Sequence, residues 1–99
     1  MKIFITENPA VEGYDGAFYR FTSEDGQQLA TGIWDIWFEA RAVDEDGGEY
    51  NVVWKVSDKE ALESGDEDCC DWECPAEVYS YDECRSLPLD SVELDWSKV

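Results

Sequence analysis

Every second residue is apolar in two stretches of the sequence, WDIWFEARA at positions 34–42 and YNVVWKV at positions 50–56. A period of two places one apolar face of a β-strand on a core and turns the other face toward solvent. The run DEDGG at positions 44–48 separates the two stretches and is typical of a turn. We therefore predict an antiparallel hairpin whose even-numbered side chains face the core.

The remainder of the chain contains shorter strand patterns. Strands are predicted at Met1–Thr6, Ala17–Thr22, Gln28–Thr31, Glu77–Tyr81 and Ser91–Trp96. Asp25 and Gly26 are predicted to turn the chain between the second and third of these strands. Gly32 is predicted to bend or bulge the chain that follows.

A helix signal follows the hairpin. Ser57 and Glu60 match a capping box with Ser57 as the N-cap, and Gly65 is typical of a helix end.

Together these patterns predict a single acidic β-rich domain over residues 1–99, mainly β and α+β at most. Its expected architecture is an antiparallel meander of about five to six strands with one short helix.

The composition is that of a folded chain. Its 99 residues match the commonest domain length, and 43% of them are hydrophobic, including five Trp, five Tyr and four Phe. Disordered acidic tails are poor in aromatic residues. The chain is therefore expected to bury a core.

The charge is strongly one-sided, with 25 Asp and Glu against seven Lys and Arg and a net charge of −18. Such a field repels nucleic acid and anionic membranes and attracts basic protein surfaces. No stretch approaches the roughly 20 apolar residues of a membrane span, and the N-terminus lacks the apolar core of a signal peptide. We expect a cytoplasmic protein that binds neither membranes nor nucleic acid directly.

The residues for common enzymatic chemistry are few. The chain has no His, so a Ser-His or Cys-His nucleophile is excluded. The glycines form no phosphate-binding loop. Carboxylate pairs are inevitable among 25 acids and therefore carry little information. We predict that the protein is not an enzyme and needs no cofactor.

The four cysteines, Cys69, Cys70, Cys74 and Cys84, equal the number of ligands in a structural zinc site. Zinc sites usually present two short C-x₂₋₄-C pairs, which this spacing does not provide. Acidic neighbours raise thiol pKa values and disfavour redox chemistry. Reduced thiols are expected rather than a disulfide or a metal centre.

The acidic turn at 44–49 does not follow the EF-hand order, so no calcium site is predicted.

The residues predicted to contact a partner are mostly acidic. They are Asp66, Glu67, Asp68, Asp71, Glu73, Glu93, Asp95 and Trp37. Trp37 lies on the polar face of the first long strand, where an exposed indole between carboxylates would be a protein-contact hot spot. The alternative is that Trp37 packs beneath the helix or the 66–75 loop.

Two functional hypotheses follow. In the first, the protein inhibits or regulates a DNA-binding protein or nuclease by mimicking DNA. Strand residues two apart, such as Glu93 and Asp95, are separated by about 6.6–6.8 Å, close to the rise of two nucleotides in one DNA strand, roughly 6.8 Å. The 66–73 run is expected beside them. In size and charge the chain resembles phage-encoded inhibitors of host defence, a resemblance of composition without a motif.

In the second hypothesis, the protein is a small accessory domain that binds a partner through an aromatic sheet face, and its acidity serves solubility.

The charge predicts a salt-dependent stability. Because like charges repel in the folded state, added NaCl or Mg²⁺ should raise the melting temperature. Thermal unfolding followed by circular dichroism between about 20 mM and about 500 mM NaCl measures this effect. An unchanged melting temperature across that range would contradict it.

Overall fold

The computed structural model describes residues 1–13, 16–29 and 33–99. Its strands are β1 (Lys2–Ile5), β2 (Ala10–Glu12), β3 (Trp37–Asp44), β4 (Glu49–Lys55), β5 (Glu77–Ser80), β6 (Arg85–Ser86) and β7 (Glu93–Asp95). In these ranges there is one α-helix, α1 (Lys59–Glu63), with short 3₁₀ turns at Glu67–Cys69 and Leu89–Ser91. The prediction of a mainly β chain with one short helix is confirmed.

The strands form a sheet in the order β6-β5-β4-β3-β1-β7, and β2 also pairs with β3. β3 and β4 are the predicted hairpin, with Ala40 opposite Val52 and Ala42 opposite Tyr50. The turn between them is held by Asp44, whose carboxylate accepts hydrogen bonds from the main chain of Asp46 and Gly48 (2.8 Å each). The hairpin thus supplies the two central strands of the sheet.

The prediction of a purely antiparallel meander of five to six strands is wrong. Within the described ranges the sheet has seven strands, and β7 pairs with β1 in parallel, Leu94 beside Ile3. From β6 at one edge, the chain crosses to the opposite edge. There the N-terminal ammonium donates to the carbonyl of Ser91 (2.8 Å). Alternation fixes the face of a strand but not its neighbour or direction, and β2 and β6 are too short to show a period.

From position 36 onward the even positions of the hairpin face the main core, as predicted, whereas even-numbered Trp34 precedes β3 and packs with Trp37 and Val53. Ile3, Ile5, Val52, Trp54 and Val78 have no exposed surface there. Burying a side chain of this size stabilises a fold by about 1.5–3 kcal/mol. β1, β4 and β5 are therefore joined by one apolar layer.

The helix begins one residue later than predicted. Asp58, not Ser57, is the N-cap, and its carboxylate accepts hydrogen bonds from the main-chain N–H groups of Glu60 and Ala61 (3.1 Å each). The Ser57 hydroxyl donates instead to the carbonyl of Cys69 (3.1 Å). Both residue types cap helices well, so a tertiary contact decides between them.

The predicted strands at Ala17–Thr22 and Gln28–Thr31 are isolated bridges in the described part of this region, Tyr19 with Trp34 and Thr22 with Gln28. The turn at Asp25-Gly26 is present, and the N–H of Gly26 donates to the carbonyl of Ser23 (3.0 Å). Thr31 and the predicted bend at Gly32 lie outside the described residues.

This irregular segment covers the second face of the sheet. Tyr19 and Phe21 pack on a second cluster of Trp34, Trp37 and Val53. The Tyr19 ring stacks on that of Trp34 with centroids 5.2 Å apart, and Phe21 meets Trp34 edge-on at 4.5 Å. The segment therefore packs on the second face of the sheet around Trp37 and Val53.

Gly13 lies against this second cluster, and a side chain there would collide with it. A Cβ atom at Gly13 would overlap the ring of Trp37 and lie 2.9 Å from the carbonyl of Asp35, whereas one at Gly16 would meet nothing. Both glycines have φ +82. Gly13→Ala should therefore be less stable than Gly16→Ala by about 1–3 kcal/mol, the cost of overpacking. Urea unfolding measures the difference, and equal stabilities would show that the second cluster is not packed as described.

Candidate functional site

The connection between β4 and β5 carries the densest run of acids. From position 60 to position 84 the sequence has ten Asp and Glu and no Lys or Arg. We call residues 60–73 the acidic lobe. Its seven acidic residues are all exposed: Glu60, Glu63, Asp66, Glu67, Asp68, Asp71 and Glu73. This places a sizeable negative charge on one short segment.

Hydrogen bonds between residues close in the sequence shape the lobe. The N–H of Asp66 donates to the carbonyl of Ala61 (2.8 Å), which joins the 3₁₀ turn to α1. The Asp66 carboxylate accepts from the N–H of Asp68 (2.9 Å), and that of Asp71 accepts from the N–H of Glu73 (3.3 Å). Two of the seven carboxylates therefore order the main chain, and the others extend from it into solvent.

Buried residues of the lobe attach it to the sheet. Cys69 and Cys70 belong to the main core. The indole N–H of Trp54 donates to the carbonyl of Trp72 (3.0 Å), and that of Trp72 donates to the carbonyl of Glu67 (2.6 Å). The lobe is therefore packed on the core and hydrogen-bonded to β4.

A groove of about 530 Å³ lies between the lobe and the sheet. We call it the aromatic groove. Its apolar lining consists of Pro9, Phe38, Leu62, Trp72 and Trp96, all partly exposed. Asp66 and Glu67 also line it, together with Asn8. An apolar floor thus adjoins carboxylates of the acidic lobe.

Sequence reasoning missed this groove. Phe38 lies on β3, Trp72 in the lobe and Trp96 after β7, and they meet only through tertiary packing. Trp72 packs edge-on against Phe38 with ring centroids 5.2 Å apart. The available signal was Trp72 itself, a large aromatic residue between Asp71 and Glu73 in an otherwise polar loop.

The structure does not bring Glu93 and Asp95 together with the lobe. Leu94 and Trp96 pack on the same core as Cys69 and Trp72. Because strand side chains alternate, those of Glu93 and Asp95 lie on the opposite face. Asp95 also forms an ion pair with Lys2 (3.9 Å), and hydrogen bonds from Ser97 lower its pKa. The expectation that the 66–73 run lies beside these two acids is wrong.

Trp37 is buried rather than exposed, so of the two possibilities for this residue burial is correct and the interpretation as an exposed hot spot is wrong. Its exposed fraction is 9%, because Tyr19 packs over it with ring centroids 5.3 Å apart. The indole N–H donates to the Glu39 carboxylate (3.0 Å). The cover is therefore neither the helix nor the 66–75 loop. A buried indole has little surface to offer a partner.

The bases do little to neutralise the lobe. The ion pairs formed among described residues are Lys2–Asp95, Lys59–Asp35 and Arg85–Glu83. Three further bases lie over aromatic rings: Arg41 over Tyr81, Lys55 over Trp34 and Lys98 over Phe4. Among the residues that the structure describes, no lobe carboxylate forms an ion pair. The lobe therefore keeps its charge.

The four cysteines are free thiols. The Sγ atoms of Cys69 and Cys70 are 4.0 Å apart, and burial raises the pKa of Cys70 to about 12. The Asp71 carboxylate raises the pKa of the exposed Cys74. Within the described ranges, no group of three or more His, Cys, Asp and Glu side chains is arranged to hold a metal ion.

Comparison with protein families finds no match, and comparisons with curated proteins and with solved structures find none that is significant. No helix in the described part of the chain is long and apolar enough to cross a membrane.

The thiols give a direct test of how the lobe is seated. Exposed Cys74 and Cys84 should react with Ellman's reagent at about pH 8, whereas buried Cys69 and Cys70 should react only after denaturation. Because a raised pKa leaves less thiolate, Cys74 should react more slowly than free cysteine, and salt should speed it by screening Asp71. Cys74→Ser and Cys84→Ser assign the two fast thiols. Four fast thiols in the native protein would show that the lobe is not packed on the core.

Proposed function

We propose that the protein is a non-enzymatic, cytoplasmic binding module whose acidic lobe binds a basic protein surface. The observation that carries the proposal is the set of seven exposed acids within residues 60–73, with no base among them. The strongest form of the proposal is a DNA mimic that occupies the DNA-binding surface of a nuclease or another DNA-binding protein.

The electrostatics of the lobe support this proposal. Proteins that bind DNA present Lys and Arg to the phosphates, so their binding surfaces are basic. A negatively charged surface of complementary shape raises the rate of association with such basic surfaces and disfavours binding to acidic partners. The carboxylates of Glu60, Glu63 and Glu73 accept no hydrogen bond from described residues, so they are available to cations of a partner.

The lobe, rather than the edge strand, is the surface proposed. Glu93 and Asp95 lie on the other face of the sheet, and Asp95 is already paired with Lys2. A mimic built from both segments would have to wrap around the sheet edge. The phosphate-like spacing of Glu93 and Asp95 therefore adds little, and the density of carboxylates in the lobe supports the proposal.

The proposal is tested by affinity capture from a host lysate at low salt, with the bound proteins identified by mass spectrometry. Captured proteins should be nucleic-acid-binding proteins. They should elute with about 0.5 M NaCl, because ion-pair contacts are screened at that ionic strength. Double-stranded DNA should compete for the same proteins.

Two matched variants separate the lobe from total charge. The lobe variant combines Glu60→Gln, Glu63→Gln, Glu67→Gln, Asp68→Asn and Glu73→Gln. The control variant removes the same charge elsewhere through Glu12→Gln, Glu24→Gln, Glu45→Gln, Glu49→Gln and Asp90→Asn, all at exposed positions. The lobe variant should bind a captured partner at least about tenfold more weakly, and the control should stay within about twofold.

Equal losses in the two variants would show that total charge, not the lobe, governs binding. Salt-tolerant capture that DNA does not compete with would contradict the proposal. That result would favour an accessory domain that binds its partner through apolar contacts.

A further inference from the structure

We propose that the aromatic groove takes one large apolar side chain from an extended basic segment of the partner, with flanking Lys or Arg residues against Asp66 and Glu67. This inference rests on the proposed function and adds to it the chemistry of the segment that is recognised.

The floor of the groove favours an apolar occupant. The indole N–H of Trp72 already donates to the main-chain carbonyl of Glu67, so Trp72 contributes ring surface rather than a hydrogen-bond donor to the groove. Phe38, Leu62 and Trp96 extend this apolar lining. A groove of about 530 Å³ lies within the usual size of binding sites, about 300–1,000 Å³.

The rim of the groove selects a cationic segment. Asp66 is oriented by the hydrogen bond that it accepts from Asp68. The Glu67 side chain accepts no hydrogen bond from the described residues, and its main-chain carbonyl is fixed by Trp72. A neutral occupant would remove water from these carboxylates without replacing its hydrogen bonds, which is unfavourable. Lys and Arg supply both the donors and the charge.

Charge complementarity also argues against two other occupants. A second copy of the chain brings another net charge of −18 and is repelled by the rim. Single-stranded nucleic acid could stack its bases on the aromatic floor, but its phosphates carry the same sign as the lobe. A basic protein segment with one apolar side chain complements both the apolar floor and the acidic rim of the groove.

The test uses two acetylated, amidated and fluorescently labelled peptides of equal charge, Lys-Arg-Leu-Arg-Lys and Lys-Arg-Ser-Arg-Lys. Fluorescence anisotropy at low salt measures their affinities for the full chain. The Leu peptide should bind about tenfold more tightly, which is the lower end of the gain from burying a Leu side chain. Both affinities should fall with added NaCl, because both peptides use the same cations.

Single substitutions assign the contacts. Leu62→Ser in the groove should abolish the advantage of the Leu peptide, whereas Leu89→Ser, at a 43% exposed position outside it, should not. Glu67→Gln at the rim should weaken both peptides by more than Glu63→Gln, which removes the same charge from the lobe away from the groove. Urea unfolding verifies that each variant is folded.

A measurement on the unaltered chain is independent of variant folding. In ¹H–¹⁵N spectra, the Leu peptide should shift the indole resonances of Trp72 and Trp96. Those of Trp34 and Trp37, which lie in the second cluster on the other face of the sheet, should not move.

The outcomes distinguish this inference from the proposed function. Equal, salt-dependent binding of both peptides, with no shift at Trp72 or Trp96, would overturn the groove inference and leave the acidic lobe as the binding surface. Failure of both peptides to bind would count against the lobe as well. Sedimentation that shows a dimer abolished by Leu62→Ser would overturn the inference in favour of self-association.

Discussion

The hydrogen bond from the Trp54 indole to the main-chain carbonyl of Trp72 (3.0 Å) ties the acid-bearing connection to the centre of the sheet. Trp54 is fully buried on β4, so the lobe is held by a central strand of the sheet. Trp72 then uses its own indole N–H to fix Glu67. The position of the acids, the shape of the groove and the cover over the core all depend on this linked pair of indoles.

This arrangement explains how a chain of net charge −18 forms a packed core. The lobe places apolar side chains inward and carboxylates outward on the same short segment, so no lobe carboxylate is buried. Several bases lie over aromatic rings instead of pairing with acids, as Lys98 does over Phe4 at 4.3 Å. Such contacts stabilise a cation by about 0.5–1 kcal/mol at exposed sites. Charge is therefore left concentrated rather than cancelled.

The sequence predicts the parts of the fold that depend on local pattern. Period-two alternation identifies the β3–β4 hairpin and its core face, and the DEDGG run identifies its turn. It does not predict the parallel pairing of β7 with β1, because alternation carries no information about the neighbouring strand. The choice of Asp58 over Ser57 as N-cap likewise depends on a distant carbonyl, that of Cys69.

The candidate site divides in the same way. Five of the seven lobe acids could be named from composition and local density, and the structure places all seven on the surface. Glu60 and Glu63 were not among the predicted site residues, because they lie in the helix segment. Trp37 could not be placed, because the segment that covers it is irregular and comes from another part of the chain. The groove was not predictable either, since Phe38, Trp72 and Trp96 converge from three separate elements. The sequence pattern carries no information about packing between residues that are distant in the chain.

The lobe separates two kinds of evolutionary constraint within one connection. Cys69, Cys70 and Trp72 must keep their size and shape because they seal the core between β4 and β5. Asp66 and Asp71 also order the main chain, but the other five lobe acids accept no hydrogen bond from described residues, so exchanging those five should cost folding little. Exchanging those five outward side chains would therefore change the surface charge of the lobe while the same sheet continues to present it.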